Sequence, residues 1–229
     1  MAIPVDLALV LAVDVSASVD LDEFALMVEG LGAAIEDPSV LAAFNAGPAG
    51  AVAVAALFWS EPQGQELAAD WTRIADAASA AEAAQLLRTA PRPARPGRTA
   101  IGAALLAAAT LLGRCPWPAA RLVVDLAGDG RQNAGPALGP ARRLLVDAGI
   151  TINGLAIANE EPDLAAWYAA NLIGGPGAFV METPDYAAFA EAMREKLLRE
   201  ARGSVIARAA GHPAGAGSRT PAPPKESPA

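Results

Sequence analysis

Hydrophobic positions along this chain follow two rhythms that alternate from one end toward the other. Apolar runs of strand length, with little polar interruption, stand at Leu7 to Val13 (LALVLAV), Ala51 to Trp59 (AVAVAALFW), Arg121 to Ala127 (RLVVDLA) and Ile150 to Ala158 (ITINGLAIA). A strand covered on both faces, as in a parallel sheet, has no solvent side and so no polar alternation. Between these runs the spacing becomes helical. Phe24, Met27, Val28, Leu31 and Ile35 follow Asp20 and Glu23, a pair placed for a capping box. Asp37-Pro38 ends that helix, and a short one is expected from Ser39 to Phe44 before the turn-forming stretch Asn45 to Gly50.

Gln65 to Trp71 follows Glu61-Pro-Gln-Gly closely enough to be the return arm of a hairpin, hence an antiparallel edge strand. A helix opens at Asp76 or Ser79, with Ala83, Leu86 and Leu87 as its apolar face, and ends at Thr89 to Pro91. The stretch Pro91 to Arg98 holds three prolines and a glycine, so it is a stiff loop. It delivers Thr99 to the start of an Ala- and Leu-rich helix over Ala100 to Leu112. Gly128-Asp129-Gly130 makes a tight turn, and Pro136 to Ala148 a helix closed by Gly149. Asp163 is expected to cap a short helix through Trp167 and Tyr168. Ala178 to Met181 is expected as the last strand, and Pro184-Asp185 as the start of a long helix to about Ile206. The sum is an α/β fold: a three-layer, doubly wound, mostly parallel six-stranded sheet with one antiparallel edge strand. Residues 1–208 are expected to form this domain, and residues 209–229, rich in Pro, Ala and Gly without apolar periodicity, a disordered tail.

Composition mainly excludes. With 53% hydrophobic residues in 229, one large core is well supplied. A formal charge of -8 leaves no basic face for nucleic acid, and Arg92, Arg95 and Arg98 sit among prolines in one short loop. No run approaches the roughly 20 apolar residues of a membrane span. Met1 to Pro4 carries no positive side chain, and the apolar run behind it ends in Asp14 without a cleavage-like segment. As written, no signal peptide and a cytoplasmic location are expected, with a monomer as the default state. Cys115 is the only cysteine and is read as a packing residue, while the only histidine, His212, falls in the tail. A histidine base or histidine-rich metal site is thereby removed from the folded domain.

The chemistry concentrates at Asp14-Val15-Ser16-Ala17-Ser18, where the first apolar run ends. Residues two apart on an extended chain point the same way, so one carboxylate and two hydroxyls can converge on one hard cation. As a plain loop, the same side chains would only cap nearby backbone. Partners would come from other loops at the carboxyl ends of strands, where ligands bind in such sheets. Thr99 and Asp129 stand there, although Asp129-Gly130 alone is a common turn and Thr99 alone a helix cap. Asn133 reads either as an orienting group for the Asp129 loop or as a polar turn residue. Glu160, Glu161 and Asp163 make an acidic loop that either borders the site or is merely solvated. Trp59, Trp71, Trp117, Trp167 and Tyr168 read as packing or rim aromatics. Asp125 interrupts a strand that otherwise reads as buried.

The order strand, D-x-S-x-S, distant Thr, distant Asp-Gly resembles the von Willebrand factor type A (vWA) domain and its metal-ion-dependent adhesion site (MIDAS), over roughly Val5 to Arg208. The wording is closest to a bacterial, functionally uncharacterised vWA-like branch, similar in DLALVLAVDVSAS, GRTAIGAAL, DLAGDGRQN, ITINGLAI and IGGPGAF. The resemblance implies that Asp14, Ser16, Ser18, Thr99 and Asp129 surround a divalent cation, usually Mg²⁺, with Mn²⁺ as a substitute. It further implies a noncatalytic binding module whose open metal position accepts an acidic group, Asp or Glu, of a protein partner. One departure is Ala127, where that branch more often has a serine; the change touches none of the five residues. Relatives commonly carry an export signal, and none is expected in this sequence as it begins at Met1. Two other readings share the layout: a metal-free scaffold, and a Mg²⁺-dependent phosphoryl-transfer hydrolase with Asp14 as nucleophile. The second lacks the acid two residues on, where Ser16 stands.

Overall fold

The computed structural model describes residues 3–93 and 97–209. Its strands are β1 (Leu7–Asp14), β2 (Val52–Trp59), β3 (Gln65–Ile74), β4 (Leu122–Gly128), β5 (Ile150–Ile157) and β6 (Val180–Thr183). They form one sheet in the order β3-β2-β1-β4-β5-β6, with β3 antiparallel at one edge and the other pairs parallel. From β1 the chain moves outward through β2 to β3, then returns to β4 and moves outward the other way. That reversal sets the carboxyl ends of β1 and β4 side by side, with their loops leaving toward opposite faces.

The helices are α1 (Leu21–Glu36), α2 (Pro38–Phe44), α3 (Ala77–Thr89), α4 (Ile101–Leu112), α5 (Leu138–Asp147), α6 (Leu164–Asn171) and α7 (Phe189–Ala209). Side chains of Leu7, Leu9, Leu11 and Val13 pack with α1, α3 and α7, while Ala8, Val10 and Ala12 face α4, α5 and α6. Every residue of β1 is buried, which is why the run shows no polar alternation. Each of its fully buried leucines contributes roughly 1.5–3 kcal/mol by leaving water. The expected capping box is present: Glu23 N donates to Asp20 Oδ1 at 2.8 Å and Asp20 N to Glu23 Oε2 at 2.9 Å. Asp76 and Ser79 share the start of α3 rather than competing for it, since Ser79 N donates to Asp76 Oδ1 and Asp76 N to Ser79 Oγ.

Several boundaries differ from expectation, each for a tertiary reason. β3 continues past Trp71 to Ile74 through register shifts opposite Ala56, and Trp71 Nε1 reaches the Leu111 carbonyl at 3.2 Å. β6 begins at Val180 because Phe179 N is turned to Asn153 Oδ1, at 2.8 Å. α7 begins at Phe189 and not at Pro184-Asp185; Asp185 Oδ1 instead accepts from Ala188 N at 2.9 Å in the entry turn. Asp163 gives α6 no side-chain cap, its carboxylate lying 2.5 Å from Arg131. Thr99 is not the cap of α4, a position held by Ala100. α7 runs to Ala209, and the rest of the expected tail, with His212, lies outside the described residues.

Asp125 is paired. Lys196 of α7, fully buried, places Nζ 2.8 Å from Asp125 Oδ1, off the hydrogen-bonding direction, and 3.6 Å from Glu200 Oε1. Asn153 Nδ2 donates to Glu200 Oε1 at 2.6 Å. Burial pushes the Asp125 carboxyl up to about 6 against the pull of Lys196. A buried ion cluster of this kind adds little net stability, because the cost of taking its charges out of water offsets their attraction. No helix among the described residues is long and apolar enough to cross a membrane. Cys115 is half-buried, with Sγ 3.5 Å from the Trp117 carbonyl, and burial pushes its thiol up.

Candidate functional site

The β1–α1 loop begins with a buried carboxylate. Asp14 is fully buried, and its Oδ1 accepts from Ser16 N at 2.8 Å, which folds the loop back over the strand end. Its other oxygen, Oδ2, has no hydrogen-bond partner. Ser16 Oγ lies 3.1 Å from Ser18 Oγ, and Ser18 Oγ donates to Asp129 Oδ1 at 2.9 Å. A continuous chain of oxygens therefore links the β1–α1 loop to the turn after β4. Asp14, Ser16 and Asp129 are buried and Ser18 is exposed, so the chain reaches the surface at Ser18 between two buried ends.

Thr99 is brought alongside by backbone contacts. Ala17 N donates to the Gly97 carbonyl at 2.9 Å, tying the two loops, and Ala100 N donates to Ser60 O at 2.8 Å. Asn133 clamps Thr99 from the β4–α5 side: Thr99 N donates to Asn133 Oδ1 at 3.0 Å, and Asn133 N to Thr99 O at 2.9 Å. Asn133 thus holds the Thr99 loop rather than the Asp129 carboxylate. The Thr99 hydroxyl is buried, 3.4 Å from Asn133 Nδ2. Four of the residues picked from sequence are joined by hydrogen bonds, with Thr99 on the adjacent loop.

Tyr186, from the turn entering α7, donates its hydroxyl to Asp129 Oδ2 at 2.9 Å, so both oxygens of Asp129 are held. Tyr168, on α6, is fully buried and its hydroxyl has no partner. A Cβ on Gly128 would lie 2.9 Å from that hydroxyl and 3.0 Å from Asp14 Oδ2, so only glycine leaves the space both atoms border. Neither tyrosine was legible as a site residue. Tyr168 reads as packing, and nothing local marks Tyr186, which meets Asp129 only because α7 crosses the sheet. Ala127 points into the α1–α7 side of the core, away from Asp14.

Burial first, and the like charge of Asp129 second, push Asp14 up to about 8. Burial and then Asp129 push the Tyr186 phenol up, and burial with both aspartates does the same to Tyr168. Around the mouth, Glu23 is raised by burial and, more weakly, by Asp20, Asp129 and Glu160. Glu161 is engaged by Arg131, at 2.8 Å, which pins the β4–α5 loop to the β5–α6 loop. The Glu160 to Asp163 stretch therefore does border the site, with part of its charge neutralised. Among the described residues no group of three or more His, Cys, Asp or Glu side chains is placed to hold a metal ion, so a cation here would meet two carboxylates and hydroxyls. An oxygen-only donor set with an unpartnered carboxylate oxygen and a net negative surround fits a hard divalent ion.

A family model described as "Protein of unknown function (DUF1194)" matches residues 4–205. A search of curated proteins found no match. Solved structures with the same fold include a von Willebrand factor type A protein from Catenulispora acidiphila, at 20% identity and TM-score 0.59 over 86% of this chain and 43% of that one. Another is proximal thread matrix protein 1 from the mussel byssus with a zinc-occupied MIDAS motif, at 18% identity and TM-score 0.60 over 87% and 47%. A third is the pilus adhesin SpaC from Lactobacillus rhamnosus GG, at 14% identity and TM-score 0.60 over 87% and 30%. The chain spans less than half the length of each of these. The fold is that of vWA domains, mostly parallel with one antiparallel edge strand, as the sequence pattern implied.

Proposed function

The chain belongs to the DUF1194 family, and from that premise we propose that it is a noncatalytic, divalent-cation-dependent protein-binding module. Asp14, Ser16, Ser18, Thr99 and Asp129 hold the cation, Mg²⁺ or in its place Mn²⁺. The observation that carries this reading is Asp14 Oδ2: a carboxylate oxygen, fully buried, without a partner, beside a second aspartate and a chain of hydroxyls. Leaving it so costs free energy that a cation recovers. Hydroxyls bring no charge, so a bound Mg²⁺ keeps enough positive character to take a carboxylate from outside, and the partner is a protein presenting Asp or Glu. Two structural relatives support this class of role, one with a zinc-occupied MIDAS motif and one a pilus adhesin. The residues around Asp14 supply binding groups and no obvious catalyst: Ser16 occupies the position where a second acid would serve phosphoryl transfer, and both tyrosines are held well protonated.

Calorimetric titration of the chain with Mg²⁺ and Mn²⁺, beside Asp14→Ala, tests the metal claim. Heat of binding in the first and none in the second is expected; equal, negligible heats from both would sink it. A pull-down with and without chelator tests the partner claim, which requires capture that chelator abolishes. Hydrolysis of a generic phosphate ester lost in Asp14→Ala would favour the hydrolase instead.

A further inference from the structure

At the opposite end of the sheet from Asp14, a cavity of about 840 Å³ opens between α7 and the amino ends of β4 and β5. Its size suits a small organic ligand. Leu122, Pro176 and Phe179 supply apolar wall, and the buried Asn153 and Glu200 supply a polar floor. Glu200 Oε2 makes no hydrogen bond but lies 4.0 Å from Arg121 Nη2, and Arg121 donates from Nη1 to the Glu200 carbonyl at 2.9 Å. Arg121 lies flat on α7 because residue 203 is glycine: a Cβ there would fall 2.9 Å from Arg121 Nη2.

The lining carries three arginines, Arg121, Arg199 and Arg202, against the one acid Glu200, a local balance of +2 in a chain of -8. Among the described residues, neither Arg199 nor Arg202 has an ion-pair partner. Arg199 instead stands over the Phe179 ring with Cζ 3.9 Å from its centroid. A guanidinium stacked on a ring keeps its N–H edge available, the edge that recognises carboxylates and their analogues. Unpaired cations on an acidic protein, at the rim of a mainly apolar cavity, are complementary to a molecule with an anionic head and an apolar body. We propose that this cavity binds a small organic anion, its acidic group on Arg199 and Arg202 and its apolar part against Leu122, Pro176 and Phe179. The site is separate from the Asp14 loops, and it stands whether or not those loops hold a cation.

The test is a fluorescence and calorimetric titration of the full chain with 1-anilinonaphthalene-8-sulfonate in EDTA. One saturable site is expected, weakening with added salt. Arg199→Gln/Arg202→Gln should weaken it roughly tenfold or more and flatten the salt dependence. Both residues are exposed, so the fold should survive, and an unchanged urea midpoint checks that. Ala120→Trp, at an exposed lining position, should block binding with both arginines in place. Affinity indifferent to the arginine changes, absence of a saturable site, or uncharged 1-anilinonaphthalene binding as tightly as the sulfonate would each overturn the proposal.

Discussion

Replacing Asp14 by asparagine in metal-free protein tests the cation reading without needing the partner. Burial and Asp129 hold the Asp14 carboxyl at about 8 in the fold, against 3.8 as its ordinary value. Because the folded pKa lies above the unfolded one, the native state keeps a proton that the unfolded chain has lost at any pH between them. Stability therefore falls as pH rises through that window, by about 1.4 kcal/mol per pH unit from this group alone, and levels off above the folded pKa. The accumulated penalty at pH 8 is on the order of 5 kcal/mol. An asparagine at this position does not titrate, but it leaves an amide N–H₂ short of partners, costing about 1–3 kcal/mol. In EDTA at pH 8, Asp14→Asn should then be more stable than wild type by about 2–4 kcal/mol, a rise in Tm of about 5–10 °C for a chain of this size. Asp125, raised to about 6, adds a slope of the same sign at lower pH, so the comparison belongs between pH 6.5 and 8. Thermal and urea unfolding across that range give both quantities. Adding Mg²⁺ at a hundredfold excess over Kd should return about 2.7 kcal/mol to wild type and nothing to the variant. A variant less stable than wild type in EDTA, or a wild type indifferent to pH between 6.5 and 8, would refute the reasoning.

Three further outcomes follow from other contacts. Lys196→Met leaves the buried Asp125 without its cation and Glu200 with Arg121 alone, at 4.0 Å, and should cost about 3–5 kcal/mol by urea unfolding, whereas Asp125→Leu/Lys196→Met/Glu200→Gln should cost much less. Gly128→Ala, crowding the Tyr168 hydroxyl and Asp14 Oδ2, should lose about 1–3 kcal/mol, and adding Tyr168→Phe should restore part of it in a double-mutant cycle. Tyr186→Phe frees Asp129 Oδ2, and Mg²⁺ affinity measured by calorimetry should fall about tenfold while far-UV circular dichroism stays unchanged.

The central strands were legible because full burial on both faces leaves an unbroken apolar run, as in β1 and β2, and α1 because its apolar stripe and capping box are local. Boundaries failed where a distant contact moved them. Asn153 captures Phe179 N and delays β6, and Arg131 captures Asp163 and removes a cap. The residues Asp14, Ser16, Ser18 and Asp129 could be picked by motif, but their closing into one hydrogen-bonded chain is a property of the topology.

What the sequence determined by itself is therefore the alternation of elements, the edge hairpin and the residue types that ring the β1 end. These depend on periodicity and on groups a few positions apart. The tertiary structure alone decided that Tyr186 holds Asp129, that Lys196 answers Asp125, and that arginines at the far end of the sheet rim a cavity. Each joins elements brought together by chain reversal, and a local pattern records that a side chain is buried without recording what it meets there.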